Sequence, residues 1–153
     1  MNTAELIERT RDVLASDQTI TTWCEQNFGR KHKVYVDVDE EKPPDPTTDY
    51  PAIVITNIRQ SRGESVREIT WELEFGVALV QASKEEAENS VTFTGFLQVE
   101  TLRELAEDAL YRAKIASINS NSETGSISAY PLFISGSVIP ITQLKSNRHG
   151  MPV

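Results

Sequence analysis

The stretch Arg67–Val80, REITWELEFGVALV, decides the fold. From Ile69 onward apolar side chains occupy every second position, with polar side chains between the first of them. This period of two is typical of a β-strand with one buried and one solvated face. Counted from Val66 the predicted strand has 15 residues, whereas an ordinary strand has about 5–6. At about 3.3 Å per residue it spans roughly 50 Å, so we expect it either to bend, with a bulge or kink at Gly76, or to project as an arm.

The segments before this strand predict its partners. PAIVITNIRQ (51–60) is rich in β-branched residues, which predicts a second, central strand, and a turn at Gly63 joins it to the long strand as an antiparallel hairpin. KVYVDVD (33–39) predicts a shorter strand. The first 29 residues predict two short amphipathic helices, the second capped by Ser16 or Asp17 and ended by Gly29.

The segments after the long strand predict one helix and one or two further strands. A polar connection, QASKEEAENS (81–90), leads to a helix from about Leu97 to Ile118. The buried side of this helix is predicted to consist of Leu102, Leu105, Ala106, Ala109, Leu110, Ala113 and Ala116. NSNSETGS (119–126) predicts a loop. In the final strand region, Pro131 and Pro140 favour sheet edges or bends.

This order of elements predicts a single α+β domain over residues 1–145, with residues 146–153 as a flexible tail. The domain is expected to contain a mainly antiparallel sheet with a long β-hairpin. One long helix packs on one face of the sheet, and short helices form the N-terminus.

Composition limits the classes of function. The chain has 153 residues and a net charge of −8, which argues against a protein whose whole surface grips nucleic acid. A single cysteine excludes an internal disulfide and fits a reducing compartment. The charged N-terminus does not match a signal peptide, and no apolar run approaches the length of a membrane span. We therefore expect a soluble, cytoplasmic product with no membrane role.

Residues for catalysis or metal binding are sparse. His32 and His149 lack a partner at ligand spacing, and Cys24 falls on the buried face of a predicted helix. Phosphate-binding, nucleotide-binding and nucleophile-elbow motifs do not occur. The acidic run DVDEE (37–41) lacks the regular spacing of a calcium loop. We expect no enzyme activity, no cofactor and no metal.

Charge distribution suggests an interface. The hairpin tip carries Arg59, Arg62 and Arg67 around Gly63 in an otherwise acidic protein. A basic tip favours head-to-tail contact with an acidic surface on another copy. The candidate acidic residues are Asp37, Asp39, Glu40, Glu41 and Asp45. The alternative is a twisted, solvated hairpin with ordinary surface charges.

The order helix, strand, hairpin, helix, strand resembles phage tail terminator (tail completion) proteins over residues 1 to about 144. The resemblance includes the central strand opening with Tyr-Pro at 50–51, the long return strand and the single long helix that follows it. It implies a structural virion protein: a ring of six subunits that caps the tail tube, stops its polymerisation and offers a surface to the head connector.

The resemblance also implies the partners and the location. Partners would be other copies of the chain, the tube protein and a head completion protein, and genomic DNA would pass through the bore without specific binding. The chain would reside in the host cytoplasm during assembly and then at the neck of the virion. The hairpin, including Glu72 and Glu74, would make subunit or tube contacts. The acidic residues named above would line the bore or contact the tip.

Three alternatives remain open at this point. A head–tail joining or neck protein differs from a terminator only in what binds its second face. A ligand-binding α+β domain requires a concave pocket with converging polar groups. A non-viral adaptor domain would be monomeric or dimeric and would not bind tail tubes.

Overall fold

The computed structural model describes residues 2–62, 68–116 and 123–144. In chain order the elements are α1 (Thr3–Ser16), α2 (Gln18–Phe28), β1 (Lys33–Val36), β2 (Ala52–Arg62), β3 (Glu68–Val80), β4 (Lys84–Ala87), β5 (Ser90–Phe93), α3 (Thr94–Arg112), β6 (Glu123–Ala129) and β7 (Leu132–Leu144). Five strands form one sheet in the order β1-β2-β3-β7-β6, and β4 pairs with β5 separately. The predicted α+β class, with a long helix on a mostly antiparallel sheet, is confirmed.

The long strand β3 lies at the centre of the sheet, between β2 and β7. Its alternation is preserved: Trp71, Leu73, Phe75, Val77 and Leu79 are each at most 1% exposed. They face α1 and α3, which contribute Leu6, Leu14, Leu102 and Leu110 to the same core. Burying side chains of this size contributes about 1.5–3 kcal/mol each. Residues 51–60 were predicted to form the central strand. They belong to β2, which lies next to the central strand β3.

The bulge occurs on β2, and the predicted bend at Gly76 is wrong. Ile55 pairs with Phe75 and Asn57 pairs with Glu74, so Thr56 is the extra residue. Its hydroxyl donates to Glu74, on the backbone carbonyl and the carboxylate. Gly76 keeps an uninterrupted register with both neighbouring strands. The bulge forms where a side chain can bond across the strands, and glycine is not needed for it. Val66, the predicted start of the strand, lies outside the described residues.

Local capping fixes the N-terminal helices as predicted. The Asp17 carboxylate accepts from the Ile20 N–H at 3.0 Å and so caps α2. Gly29 ends the helix with φ of 72°, a left-handed conformation that favours glycine. The predicted strand over residues 33–39 ends earlier, at Val36, because Asp37 also has a positive φ of 63°. β1 runs parallel to β2.

The structure corrects three predicted boundaries: within the polar connection, at the ends of α3 and at the start of β6. The polar connection contains the β4–β5 hairpin, whose strands have four residues each and are too short to show a clear period. Helix α3 begins at Thr94 and ends at Arg112, not at 97 and 118, and residues 117–122 are not described. The predicted loop over 119–126 includes the start of β6, an edge strand of mostly small residues.

Pro131 lies where a bend was expected, in the turn between β6 and β7. Pro140 lies within β7 and pairs with Glu72 of β3. Among the described residues the last β6–β7 pair is Glu123 with Val138, so the expectation that Pro140 marks an edge or a bend stays a prediction.

Candidate functional site

Within the described ranges, no helix packs on one face of the sheet. Helices α1 and α3 pack on the face with the buried β3 side chains, so the alternate side chains of β3 lie on the opposite face. Glu72 and Glu74 are exposed there. Beside them three glycines stand in register across three strands, Gly76 with Gly136 and Gly136 with Gly125. This surface, called here the open face, contains a depression of about 430 Å³ lined in part by Glu74 and the three glycines.

The predicted basic tip is only partly visible, and its first arginine is already paired. The Arg59 guanidinium donates to the Glu72 carboxylate at 2.7 Å across the β2–β3 pair. Arg59 is therefore not the unpaired cation that the tip hypothesis assumed. The pair is exposed, so it contributes at most about 1 kcal/mol. The side chain of Arg62, and all of Gly63 and Arg67, lie outside the described residues, so their part of the hypothesis stays a prediction.

The acidic loop between β1 and β2 is held by its own carboxylates. Asp39 accepts from the Glu41 N–H at 2.9 Å, and Asp45 accepts from the Thr47 N–H at 2.9 Å. The hydrogen bonds from Thr47 to the Asp45 carboxylate lower its pKa below the ordinary value. These contacts are Asx-type turns. The predicted acidic residues are all exposed, so the loop offers a solvated negative surface, as expected: Asp37, Asp39, Glu40, Glu41 and Asp45.

The acidic loop begins beside the middle of β2. β1 runs parallel to β2, and the Asp37 N–H donates to the Ile55 carbonyl at 2.9 Å. The chain then returns and enters β2 at Ala52, and the strand leaves toward the tip at Arg62. Arg62 follows Ile55 by seven residues, which span roughly 23 Å at about 3.3 Å each.

A buried polar cluster between α3 and the sheet was missed by sequence reasoning. The Arg103 side chain is 9% exposed, and it donates to Glu100 at 2.6 Å and to Glu107 at 2.9 Å. It also donates to Ser135 of β7 at 3.1 Å. Ser137 donates to Glu107, and Ser126 of β6 donates to Glu100.

The contacts of the cluster also shift the pKa of one of its carboxyl groups. The hydrogen bond from Arg103 holds the pKa of Glu100 below its usual value, against the effect of partial burial. The signal for this cluster was present in the sequence: Glu100, Arg103 and Glu107 stand at ion-pairing distances of three and four residues along the helix. The prediction for this helix rested on its stripe of alanine and leucine side chains alone. The arrangement joins α3 to β6 and β7.

A second missed feature is an apolar cleft where β5, the start of α3 and the β6–β7 turn meet. It has a volume of about 400 Å³ and is lined by Val91, Thr92, Phe93, Phe96, Leu97, Ser128, Tyr130 and Phe133. Phe93 packs edge-on against Tyr130 with ring centroids 5.2 Å apart. The Tyr130 hydroxyl donates to the Ala82 carbonyl at 2.5 Å, which fixes one wall. Among the described residues that line the cleft, the polar ones are Thr92, Ser128 and Tyr130, and none is charged.

Cys24 and His32 have structural environments. Cys24 is fully buried, as predicted, and burial raises the pKa of its thiol to about 12. At neutral pH it is therefore a protonated, apolar side chain. His32 is buried, and its Nε2 donates to the Leu14 carbonyl at 2.7 Å. Within the described ranges, no group of three or more His, Cys, Asp or Glu side chains could hold a metal ion.

The comparisons add no family. No family model and no curated protein matches this chain. Over the part of the chain that the structure describes, no helix is long and apolar enough to cross a membrane.

Proposed function

We propose that this chain is a structural subunit of a phage neck, which assembles into a closed ring of six on the end of the tail tube. The ring stops tube growth and offers its second face to the head connector. Its work is assembly rather than catalysis. The alternative of a head–tail joining protein uses the same ring and differs in the partner of the second face.

One observation carries the proposal: the sheet ends in two unlike edges on opposite sides. β1 is a four-residue strand at one edge, followed by the acidic loop, and β6 is a seven-residue strand at the other. An unpaired edge presents backbone donors and acceptors to another chain. Because the two edges differ, a contact between them is heterologous, and a heterologous contact that closes forms a ring.

The charge distribution supports the same head-to-tail arrangement. Asp37, the first carboxylate of the acidic loop, lies beside Ile55, and roughly 23 Å of β2 separates Ile55 from Arg62, where the strand leaves toward the tip. Between neighbouring copies, however, the tip arginines can meet the loop carboxylates. The open face, with Glu72 and Glu74, suits a bore surface, because carboxylates repel DNA phosphates and leave the genome free to slide.

The test is the mass of the full chain in solution, measured by light scattering from micromolar to high concentration, with imaging of the largest species. Six copies of 17.1 kDa make about 103 kDa. A hexameric ring that binds purified tail tubes and blocks their further growth supports the proposal. A tight twofold dimer that does not bind tail tubes contradicts the proposal. Binding of the ring to head connectors in the absence of tubes would favour the joining-protein alternative.

A further inference from the structure

The apolar cleft is an exposed surface of the folded chain. Phe96 and Leu97 at the start of α3 are 46% and 59% exposed, and Val91 on β5 is 54% exposed. Tyr130 on the opposite wall is 51% exposed. Large apolar side chains that are grouped and exposed in this way mark interaction sites.

The β4–β5 hairpin, whose strand β5 forms one wall of the cleft, carries acidic side chains outside the lining residues. Lys84 lies 3.4 Å from Glu86, so their charges largely offset each other. Glu85 and Glu88 on the same hairpin leave it with a net negative charge. A complementary occupant therefore combines apolar side chains with a positive charge.

We propose that the cleft binds residues 145–153, KSNRHGMPV, of a second copy of this chain. This segment follows β7 and carries two cations, Lys145 and Arg148, without any Asp or Glu. Its apolar residues, Met151 and Val153, stand together beyond the charges. The methionine and valine side chains enter the cleft, and the cations face the acidic hairpin.

The length of β7 requires the donor to be another copy. β7 starts at Leu132, next to the cleft residue Phe133, and ends at Leu144. Its 13 residues place the two ends roughly 40 Å apart at about 3.3 Å per residue. Met151 follows Leu144 by seven residues, which reach at most about 25 Å when fully extended. The segment of one chain therefore falls short of that chain's own cleft.

This contact rests on the proposed self-association and adds a named subunit contact to it. The donor surface and the acceptor surface differ, so the contact is heterologous and is compatible with a closing ring. It does not require a tail tube, however, and it can be tested on the purified chain alone.

The test is disulfide trapping between two full-length variants, Met151→Cys and Leu97→Cys, mixed in equal amounts with glutathione disulfide as the oxidant. We expect a linked pair of about 34 kDa, two copies of 17.1 kDa, at a yield at least about tenfold above the control. The control mixture replaces Leu97→Cys with Thr22→Cys, because Thr22 is exposed on α2 but does not line the cleft. Cys24 does not interfere, since it is buried.

Equal yields in the two mixtures overturn the proposal. So does linkage within a single chain of the double variant Met151→Cys/Leu97→Cys, because that result would contradict the reach of the segment. Unchanged thermal melting of each variant shows that the fold is intact. The ring is tested separately by mass. Linkage without a hexamer supports the cleft contact and contradicts the ring. A hexamer without linkage supports the ring and contradicts the cleft contact.

Discussion

Arg103 joins α3 to the sheet through a set of polar contacts. Its guanidinium contacts Glu100, Glu107 and Ser135 in a nearly dry environment. Removing one partner of a buried ion pair leaves the other charges unpaired, at a cost of about 3–5 kcal/mol. Since Glu100 keeps some access to water, the cost here is expected at the lower end of this range.

We therefore predict that Arg103→Ala lowers the free energy of unfolding by about 3 kcal/mol in urea denaturation at pH 7. Arg11→Ala is the control, because the pair that Arg11 forms with Asp12 is exposed to solvent, so its loss should leave stability nearly unchanged. Equal effects of the two substitutions would contradict the role of the cluster.

The same cluster predicts a pH dependence. The folded-state pKa of Glu100 is depressed, mainly by the hydrogen bond from Arg103. A depressed carboxylate pKa adds stability above the unfolded value of about 4.3, and this stability is lost as the pH falls through the folded value. The difference between wild type and Arg103→Ala should therefore shrink between pH 5 and pH 3, measured by urea denaturation at each pH. A constant difference would contradict this assignment.

Two glycines should respond to alanine in opposite directions. A Cβ at Gly95 would lie 2.4 Å from the ring of Phe133, whereas a Cβ at Gly136 would find its nearest atom at 3.6 Å. Gly95→Ala is therefore expected to cost about 1–3 kcal/mol by overpacking. Gly136→Ala should raise stability by about 0.5 kcal/mol, because alanine reduces the freedom of the unfolded chain. Thermal melting of the two variants gives the comparison.

At the scale of elements, one carboxylate links α2 to the end of α3. Asp17 caps α2 and also accepts from Arg112, near the end of α3, at 2.8 Å. Burial alone would raise the pKa of Asp17, but the hydrogen bonds from Arg112 and Ile20 outweigh burial and lower it. One side chain thus serves both as a helix cap and as an ion-pair partner.

Asp17→Ala should lower the free energy of unfolding by about 1–2 kcal/mol, because the cap and the ion pair are both lost. Asp17→Asn should cost less, since asparagine also caps helices but carries no charge for Arg112. The matched control is Asn2→Ala, which removes the exposed cap of α1 alone. Chemical denaturation of the three variants ranks them, and an Asn variant as unstable as the Ala variant would show that only the charge matters.

How well an element could be predicted from sequence depended on its length and its period. The alternation in β3 and the stripe Leu102, Ala106, Ala109 and Leu110 in α3 are long enough to read. The β4–β5 hairpin and β6 are short, polar or rich in small residues, and tertiary pairing decides their structure. The parallel pairing of β1 with β2 was not predicted either, since nothing local encodes strand direction.

Within the candidate sites, only the features that depend on charge alone could be predicted from the sequence. The acidic loop is exposed, as its composition indicated. Arg59, in contrast, has its partner Glu72 on a neighbouring strand, a pairing set by the register beyond the bulge at Thr56. The cleft combines residues from three elements that are distant in sequence, so no single pattern could show it. The predicted tail segment 146–153 lies outside the described residues.

At the scale of the whole molecule, the arginines of the hairpin tip and the carboxylates of the acidic loop predict the effect of charge reversal. Arg62→Glu combined with Arg67→Glu should prevent ring formation, because the hairpin tip would then repel the acidic loop of the next copy. We expect the hexamer mass to be lost, while the fold, measured by circular dichroism, is unchanged. Arg11→Glu, which reverses an exposed charge on α1, is the control and should leave the hexamer intact.

Salt provides an independent check on that prediction. Exposed charges separated by more than about 8 Å are largely screened at physiological ionic strength. If the tip and the loop meet in the ring, raising the salt concentration should shift the wild-type equilibrium toward smaller species. Rings that are insensitive to salt and to the double reversal would remove the tip from the interface and leave the two strand edges as its basis.

The position of β7 in the sheet has a consequence for protein synthesis. β3 leaves the ribosome soon after β2, but its other neighbour, β7, is made only after β4, β5, α3 and β6. At about 5–20 residues per second the nascent chain spends several seconds with one edge of β3 unpaired. Trp71, Leu73 and Phe75 then lack the α3 layer that buries them in the finished fold. A partly made chain of this kind is a natural client for chaperones that bind near the ribosome.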